Sequence, residues 1–126
     1  MDVVKKVETT ICHHVLTSEG IIVTRVKENM FENLELAKEN GRAVLSLKGD
    51  GPVVPILVDF SKAAGQDIEA RKYYSEHSGE WSNKAALLVN SPVARVMGNI
   101  YLGINKPVIP TKLFTDEQLA IAWLKE

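Results

Sequence analysis

The sequence predicts an α/β fold in a single domain, residues 1–126, with a mixed sheet of about five strands and about four helices. Two observations lead to this fold class. The opening third is rich in β-branched residues arranged as a hairpin, and the remainder alternates short apolar runs with amphipathic segments. Such alternation of strands and helices brings the strands together in parallel βαβ units. A chain of 126 residues is also long enough to enclose one hydrophobic core.

The predicted hairpin is formed by the segments ETTICHHVL and IIVTRVKE. Their β-branched residues favour strands, and the polar segment TSEG between them ends in Gly20, which suits a turn. Alternate residues of the second segment, beginning with Ile22, give that strand one nearly apolar face. We therefore expect two antiparallel strands at the start of the sheet.

The next segment, MFENLELAKENGRAVLSLK, has apolar residues at helical spacing from Met30 through Gly41 to Leu45. This spacing predicts one long helix in which Gly41 faces the sheet. A second interpretation ends the helix at Gly41, as a C-cap, and makes residues 43–47 a strand. Glycine inside a helix costs about 1 kcal/mol relative to alanine, so the state of residues 43–47 stays open.

Two continuous apolar runs, PILVDF and KAALLVN, are typical of parallel strands that are covered on both faces. The segment DIEARKYYSEH between them is predicted to be a helix. A later strand, VIPTKLF, contains Pro110 and belongs at a sheet edge, because proline cannot donate a ladder hydrogen bond. The chain closes with the helix TDEQLAIAWLKE, for which we expect Thr115 as N-cap and Gln118 as its capping-box partner.

The segment SPVARVMGNIYLGINKP is predicted to be a helix with Ser91 as N-cap and Pro92 at its first position. One apolar arc is expected to face the core, and its members are Val93, Val96, Met97, Ile100, Tyr101 and Ile104. The other side carries Gly98, Asn99 and Leu102. Because a small residue beside an apolar one permits close approach, we expect this side to contact a second copy or another protein. A single exposed leucine is also ordinary on a solvated surface, which is the competing interpretation.

Four stretches of the chain carry a family resemblance: ILVDFS at a strand end, IEAR at a helix start, SPVARVMGNIYLGINKP, and PTKLFTDEQLAIAWLK. Together they resemble uncharacterised small bacterial STAS-like proteins, which are grouped as SpoIIAA-like or STAS/CRAL-TRIO-like. The resemblance covers residues 53–126 well and the hairpin loosely. It implies the STAS-like α/β fold, and it implies no activity.

The resemblance also indicates where a switch would lie. In the anti-sigma-factor antagonists among STAS proteins, phosphorylation falls on a hydroxyl within an Asp-Ser-Ser/Thr-Gly motif, at the start of the helix after the third strand. The corresponding stretch here, SKAAGQDIEARKYY, lacks that motif, so we expect no phosphoserine switch there. We also expect no lipid site of the CRAL-TRIO kind, because the chain is short for an acyl cavity with a gating helix.

Composition argues against several classes of partner. The formal net charge is -1 and the basic residues are spread along the chain, so the basic field of a nucleic-acid-binding protein is missing. No window approaches the roughly 20 apolar residues of a membrane span, so we expect no membrane insertion. The one cysteine, Cys12, fits a reducing compartment, and the first residues lack the apolar run of a signal peptide. We expect a cytoplasmic protein.

Catalytic and metal sites are not predicted. His13 and His14 are neighbours on a strand, so their side chains point to opposite faces and cannot hold one metal ion. Cys12 shares a face with His14, yet two ligands do not make a zinc site, and no base is placed to activate the thiol. We expect no metal, no cofactor and no enzymatic activity. The leading interpretation is a module that acts through protein contacts, as a regulatory domain does.

The alternative function is binding of a small polar or anionic ligand at the carboxyl ends of the parallel strands, where ligands gather in open α/β sheets. Ser61 follows one of these strands, and Asn90 and Ser91 follow the next. Ser91 also begins a helix whose free N–H groups attract anions, and Arg95 lies one turn further. The competing interpretation makes Ser91 only a cap and Arg95 a solvated side chain.

Overall fold

Eight strands and four helices make up the computed structural model, which describes residues 1–126. The strands are β1 (Val3–Glu8), β2 (Cys12–Thr17), β3 (Ile22–Val26), β4 (Phe31–Glu32), β5 (Ile56–Asp59), β6 (Gly65–Gln66), β7 (Ala85–Leu88) and β8 (Thr111–Phe114). The helices are α1 (Leu34–Lys48), α2 (Ile68–His77), α3 (Pro92–Ile100) and α4 (Glu117–Leu124), with a 3₁₀ turn at Ser78–Glu80 and a π turn at Tyr101–Asn105. Six strands form the main sheet in the order β1-β2-β3-β5-β7-β8, while β4 and β6 pair separately. The predicted α/β class is confirmed.

The N-terminal part of the main sheet is antiparallel. β2 and β3 form the predicted hairpin, with Cys12 opposite Val26 and Leu16 opposite Ile22. β1 adds a strand on the outer side of β2, so the main sheet has six strands, one more than predicted. β1 is an exposed edge strand whose lysines interrupt the apolar pattern, which is why sequence periodicity does not reveal it.

From β3 onward, all neighbouring strands are parallel: β3 with β5, β5 with β7, and β7 with β8. β8 lies at the edge of the sheet, as predicted. Pro110 stands immediately before β8, and its carbonyl accepts a hydrogen bond from the Ala85 N–H at 2.9 Å. The proline therefore supplies an acceptor at a place where the sheet needs no donor.

α1 is one continuous helix, which decides between the two interpretations of residues 43–47: they are helical. It begins later than the apolar stripe suggests, because Asn33 is the N-cap and Met30 precedes β4. The prediction that Gly41 faces the sheet is wrong. Gly41 lies against α2, where a Cβ atom would overlap the Tyr73 hydroxyl, so this glycine permits two helices to approach.

α3 begins as predicted, since the Ser91 side chain accepts a hydrogen bond from the Ala94 N–H. Its orientation is not the predicted one. Gly98 is buried, and a Cβ there would lie 2.9 Å from the nearest Leu113 methyl group, so Gly98 cannot belong to an exposed contact surface. The predicted surface residues separate accordingly: Asn99 is exposed and Leu102 is half-buried.

The predicted core arc is right for Met97 and Tyr101, which line an interior cavity, and wrong for three other apolar members. Val93, Val96 and Ile104 are 43%, 53% and 76% exposed. The physical reason is the side chain of Leu113 on β8, which lies against Gly98 and leaves no room for a side chain at that position of α3. The helical path also continues past Gly103 through the π turn and stops at Lys106, which has left-handed backbone angles.

Helices cover both faces of the main sheet. α1, α2 and α3 lie on one face, where Ile22, Val44 and Trp81 belong to one buried cluster. α4 lies on the other face and buries Leu124 against it. α4 begins after Asp116, whose side chain accepts from a backbone N–H, so the expected N-cap at Thr115 is wrong by one residue. None of the helices combines the length and apolar character needed to span a bilayer.

Candidate functional site

A cavity of about 100 Å³ lies between the three-helix layer and the middle of the main sheet. Its floor includes Val58 on β5 and Leu87 on β7, two central strands. Both side chains remain partly accessible, although central positions of a covered sheet are normally buried completely. Of the 21 residues that line the cavity, 14 are hydrophobic, so its walls suit a largely apolar occupant.

One wall of the cavity contains a buried carboxyl group, that of Glu32 on β4, which is only 3% exposed. Its Oε2 accepts hydrogen bonds from the Tyr74 hydroxyl at 2.5 Å and from Asn40 Nδ2 at 2.8 Å. Its Oε1 accepts from Gln66 Nε2 at 2.7 Å. Burial raises the pKa of Glu32, and the hydrogen bonds oppose that shift only in part.

The hydrogen bonds continue from Asn40 to His14, which is 1% exposed on β2. Asn40 donates to the carboxyl group of Glu32, so its Oδ1 faces the histidine and can only accept. His14 Nε2 therefore carries the proton and donates to Oδ1 at 3.1 Å. The hydroxyl of Thr24 then donates to Nδ1 at 2.8 Å. We call this set of residues, Glu32, Asn40, His14, Tyr74 and Gln66, the Glu32 network.

Burial in this region favours the neutral forms of the His14 and Cys12 side chains. Burial lowers the pKa of His14 below the usual range of histidine. Burial also raises the pKa of the Cys12 thiol far above its ordinary value. A thiol reacts as its thiolate, so Cys12 is not activated even though it lines the same cavity.

A second polar place in the cavity wall is Ser78, at the end of α2. Ser78 is only 7% exposed, and its Oγ has no partner at hydrogen-bonding geometry. The Tyr101 hydroxyl lies beside it, and burial raises the pKa of Tyr101. A buried hydroxyl without a partner costs about 1–3 kcal/mol, so Ser78 marks a position where an occupant would gain a hydrogen bond.

The predicted strand-end residues meet in part. The backbone N–H of Asn90 donates to Ser61 Oγ at 3.1 Å, which joins the ends of β5 and β7. Ser91 uses its side chain to cap α3. Arg95 is exposed and makes no ion pair or side-chain hydrogen bond, so nothing holds it toward the other three residues. Ligand binding at this place stays a prediction.

The residues of the Glu32 network were not predicted as site residues. One sequence signal points to a member, because Asn40 falls between Ala37 and Val44 on the buried stripe of α1. A polar residue on such a stripe requires a buried partner. Glu32 and Tyr74 offer no comparable signal, since both lie in stretches rich in polar residues. Nowhere in the structure do three His, Cys, Asp or Glu side chains meet closely enough to hold a metal ion.

Comparison with known proteins gives a family and a fold. Residues 15–126 match the model of a domain of unknown function, DUF7793. No curated protein matches the chain. The crystal structure of an uncharacterized protein from the DUF3478 family with a SpoIIAA-like fold, from Shewanella loihica PV-4, has a TM-score of 0.59 at 12% identity, covering 95% of this chain and 90% of that one. A protein with unknown function from Arthrobacter sp. FB24 is 28% identical, covers 89% of this chain and 97% of its own length, and has a TM-score of 0.30. The Shewanella structure shows that the fold is SpoIIAA-like, which confirms the STAS-like resemblance.

Proposed function

This chain belongs to the DUF7793 family of domains of unknown function, and we propose that it is a non-catalytic domain that binds a small ligand in its cavity. The observation that carries the proposal is the incomplete burial of Val58 and Leu87 in the middle of the sheet. Protein interiors are packed as densely as organic crystals, and uncovered apolar surface is unfavourable by about 25 cal/mol per Å². A ligand that covers these two side chains would recover that free energy.

The polar groups of the cavity support binding rather than catalysis. General acid–base catalysis needs a group that exchanges protons near the working pH, within reach of a substrate. His14 is neutral with both ring nitrogens in hydrogen bonds, and Glu32 is bonded to Tyr74, Asn40 and Gln66. Because these groups are hydrogen-bonded to one another, they hold the cavity wall in one arrangement, which suits ligand binding.

Native mass spectrometry of gently purified protein tests the proposal. Val58→Phe places a larger side chain in the cavity, while Val93→Phe makes the same change on the outer side of α3 and serves as its control. We expect one reproducible small-molecule adduct on the wild type and on Val93→Phe, and none on Val58→Phe. Three proteins without any adduct, or with the same adduct, would contradict binding in this cavity.

A second candidate function, contact with another protein, is favoured by the outer side of α3. Val96 on α3 and Ile104 in the π turn that follows it are both exposed. Clustered exposed apolar residues are typical of interaction surfaces. This surface replaces the predicted one, which included the buried Gly98.

Self-association is the simplest form of such a contact, and sedimentation velocity measures it. Val96→Asp should shift any dimer toward monomer, because a carboxylate would be buried in the interface without a partner. Leu119→Asp on α4 is the control, since Leu119 is equally exposed but lies on the opposite face of the sheet. A wild-type protein that stays monomeric at high concentration would exclude a homodimer.

A further inference from the structure

We propose that the ligand of the cavity is an electrically neutral molecule whose hydrogen-bond acceptor, such as a carbonyl oxygen, meets the hydroxyl groups of Ser78 and Tyr101. This ligand class rests on the proposed function and goes further, since it names the recognition group and the charge of the ligand. The apolar remainder of the ligand covers Val58 and Leu87 on the floor of the cavity.

The hydrogen bonds of the cavity wall are unevenly distributed. Each polar atom of the Glu32 carboxyl group already has at least one partner within the protein. The Ser78 hydroxyl has only the Tyr101 hydroxyl beside it and no partner at full hydrogen-bonding geometry, although its residue is more than nine-tenths buried. A hydroxyl donates one hydrogen bond, and the carbonyl of Ser78 itself already accepts from the Trp81 and Ser82 N–H groups. The free donor therefore points to an acceptor on the ligand.

The charged groups around the cavity decide the charge of the ligand. No lysine or arginine is among the residues that line it, so an anionic ligand would have no cation in direct contact. Glu32 is the one carboxyl group in the wall, and three of its acceptor sites are engaged by Tyr74, Asn40 and Gln66, so a cation would have to replace these bonds or share the carboxyl group with them. A neutral ligand avoids both desolvation penalties.

The size of the cavity limits the part of the ligand that enters it. About 100 Å³ is less than the roughly 150 Å³ of an engineered apolar cavity that binds benzene. A five-membered ring with one exocyclic atom has six non-hydrogen atoms, as benzene has, and is therefore the upper size limit for a probe. Cyclopentanone and methylenecyclopentane have the same shape and differ only in the exocyclic atom, an acceptor oxygen in the first and a CH₂ group in the second.

Both probes are titrated into methyl-labelled protein, and NMR shifts of the Val58 and Leu87 methyl groups report their affinities. Ser78→Ala should weaken the binding of cyclopentanone about 3- to 10-fold, which is the range for one hydrogen bond. The affinity for methylenecyclopentane should stay the same or increase. Tyr101→Phe should act in the same direction. Ser75→Ala is the control, because that buried hydroxyl is bonded to the Lys72 carbonyl and does not line the cavity.

Ser78→Ala is expected to fold, since the hydroxyl has no partner at full hydrogen-bonding geometry. Equal losses for the two probes in Ser78→Ala, or no loss for the ketone, would overturn the assigned ligand class while leaving the cavity as a binding site. Tight binding of cyclopentanecarboxylate at neutral pH would overturn the neutral charge. If neither neutral probe shifts the methyl resonances, the proposed function fails as well.

Discussion

At the residue scale, the main feature is a carboxyl group that is buried without a basic partner. Glu32 receives three hydrogen bonds from neutral side chains and forms no ion pair. Three neutral donors compensate a buried carboxylate less well than water does, so the protonated form is favoured and the pKa of Glu32 is raised. The network fixes the positions of Tyr74 and Asn40 at the cavity wall.

Replacing Glu32 by glutamine should change how stability depends on pH. Because its pKa is raised, folded Glu32 holds its proton at pH values where the unfolded chain has lost it. This contribution to stability is fully present below the ordinary pKa of glutamate and is lost as pH rises through the folded value. Urea unfolding from about pH 4 to about pH 8 should therefore show the free energy of unfolding of Glu32→Gln rising relative to wild type.

The exposed Glu69 on α2 provides the control for that experiment. Glu69→Gln makes the same substitution at an exposed position outside the Glu32 network and should keep the pH dependence of the wild type. Parallel pH profiles for Glu32→Gln and the wild type would contradict a raised pKa of Glu32.

At the scale of single elements, the contact between α1 and α2 depends on Gly41. Tyr73 of α2 occupies the space that a side chain at Gly41 would need. Its ring stacks on His77 with centroids 4.8 Å apart and lies near Trp81, so it has little freedom to move away. The glycine is therefore favourable at a helical position where alanine is usually better.

Gly41→Ala should destabilise the protein by about 1–3 kcal/mol, the usual cost of overpacking, although alanine is the better helix former. Thermal and urea unfolding measure the loss. Tyr73→Leu in the same chain should recover much of it, because the shorter side chain makes room, and a double-mutant cycle gives the coupling. A Gly41→Ala variant as stable as the wild type would contradict the contact.

Helix orientation was the least predictable property at this scale. The continuous stripe of α1 predicted a single helix, and residues 43–47 are indeed helical. For α3 the apolar arc was right for Met97, which packs on the buried core, and wrong for Val93 and Val96, which are exposed. Leu113 on β8 lies against Gly98 and leaves no room for a side chain there, so Gly98 faces inward. That neighbour is distant in sequence, so local periodicity cannot identify it.

At the scale of the whole molecule, three helices on one face of the sheet do not close completely over its centre. The cavity that remains is built from residues far apart in the chain, such as His14 on β2, Asn40 on α1, Leu87 on β7 and Tyr101 in the π turn. The parallel half of the sheet follows from the alternation of strands and helices, and the edge position of β8 follows from Pro110, so both could be predicted. A gap between helices could not, because it depends on how side chains from separate elements pack.

The gap predicts that the same change, valine to phenylalanine, affects stability differently at two positions. Val58→Phe should be tolerated or should stabilise the protein, because the added ring enters the cavity. Val23→Phe, on the well-packed face beneath α4, should cost about 1–3 kcal/mol by overpacking. Urea unfolding of both variants gives the comparison, and an equally large loss in Val58→Phe would mean that the cavity is not available to a side chain.

The most direct test of a ligand-accessible cavity is a crystal structure of the wild-type protein under xenon pressure. Xenon is apolar, enters apolar cavities and is located by its anomalous scattering. We predict one ordered xenon atom in contact with Val58 and Leu87, and none at that place in Val58→Phe. A wild-type structure in which side chains such as Met97 fill the space, with no xenon bound there, would contradict the proposed binding site.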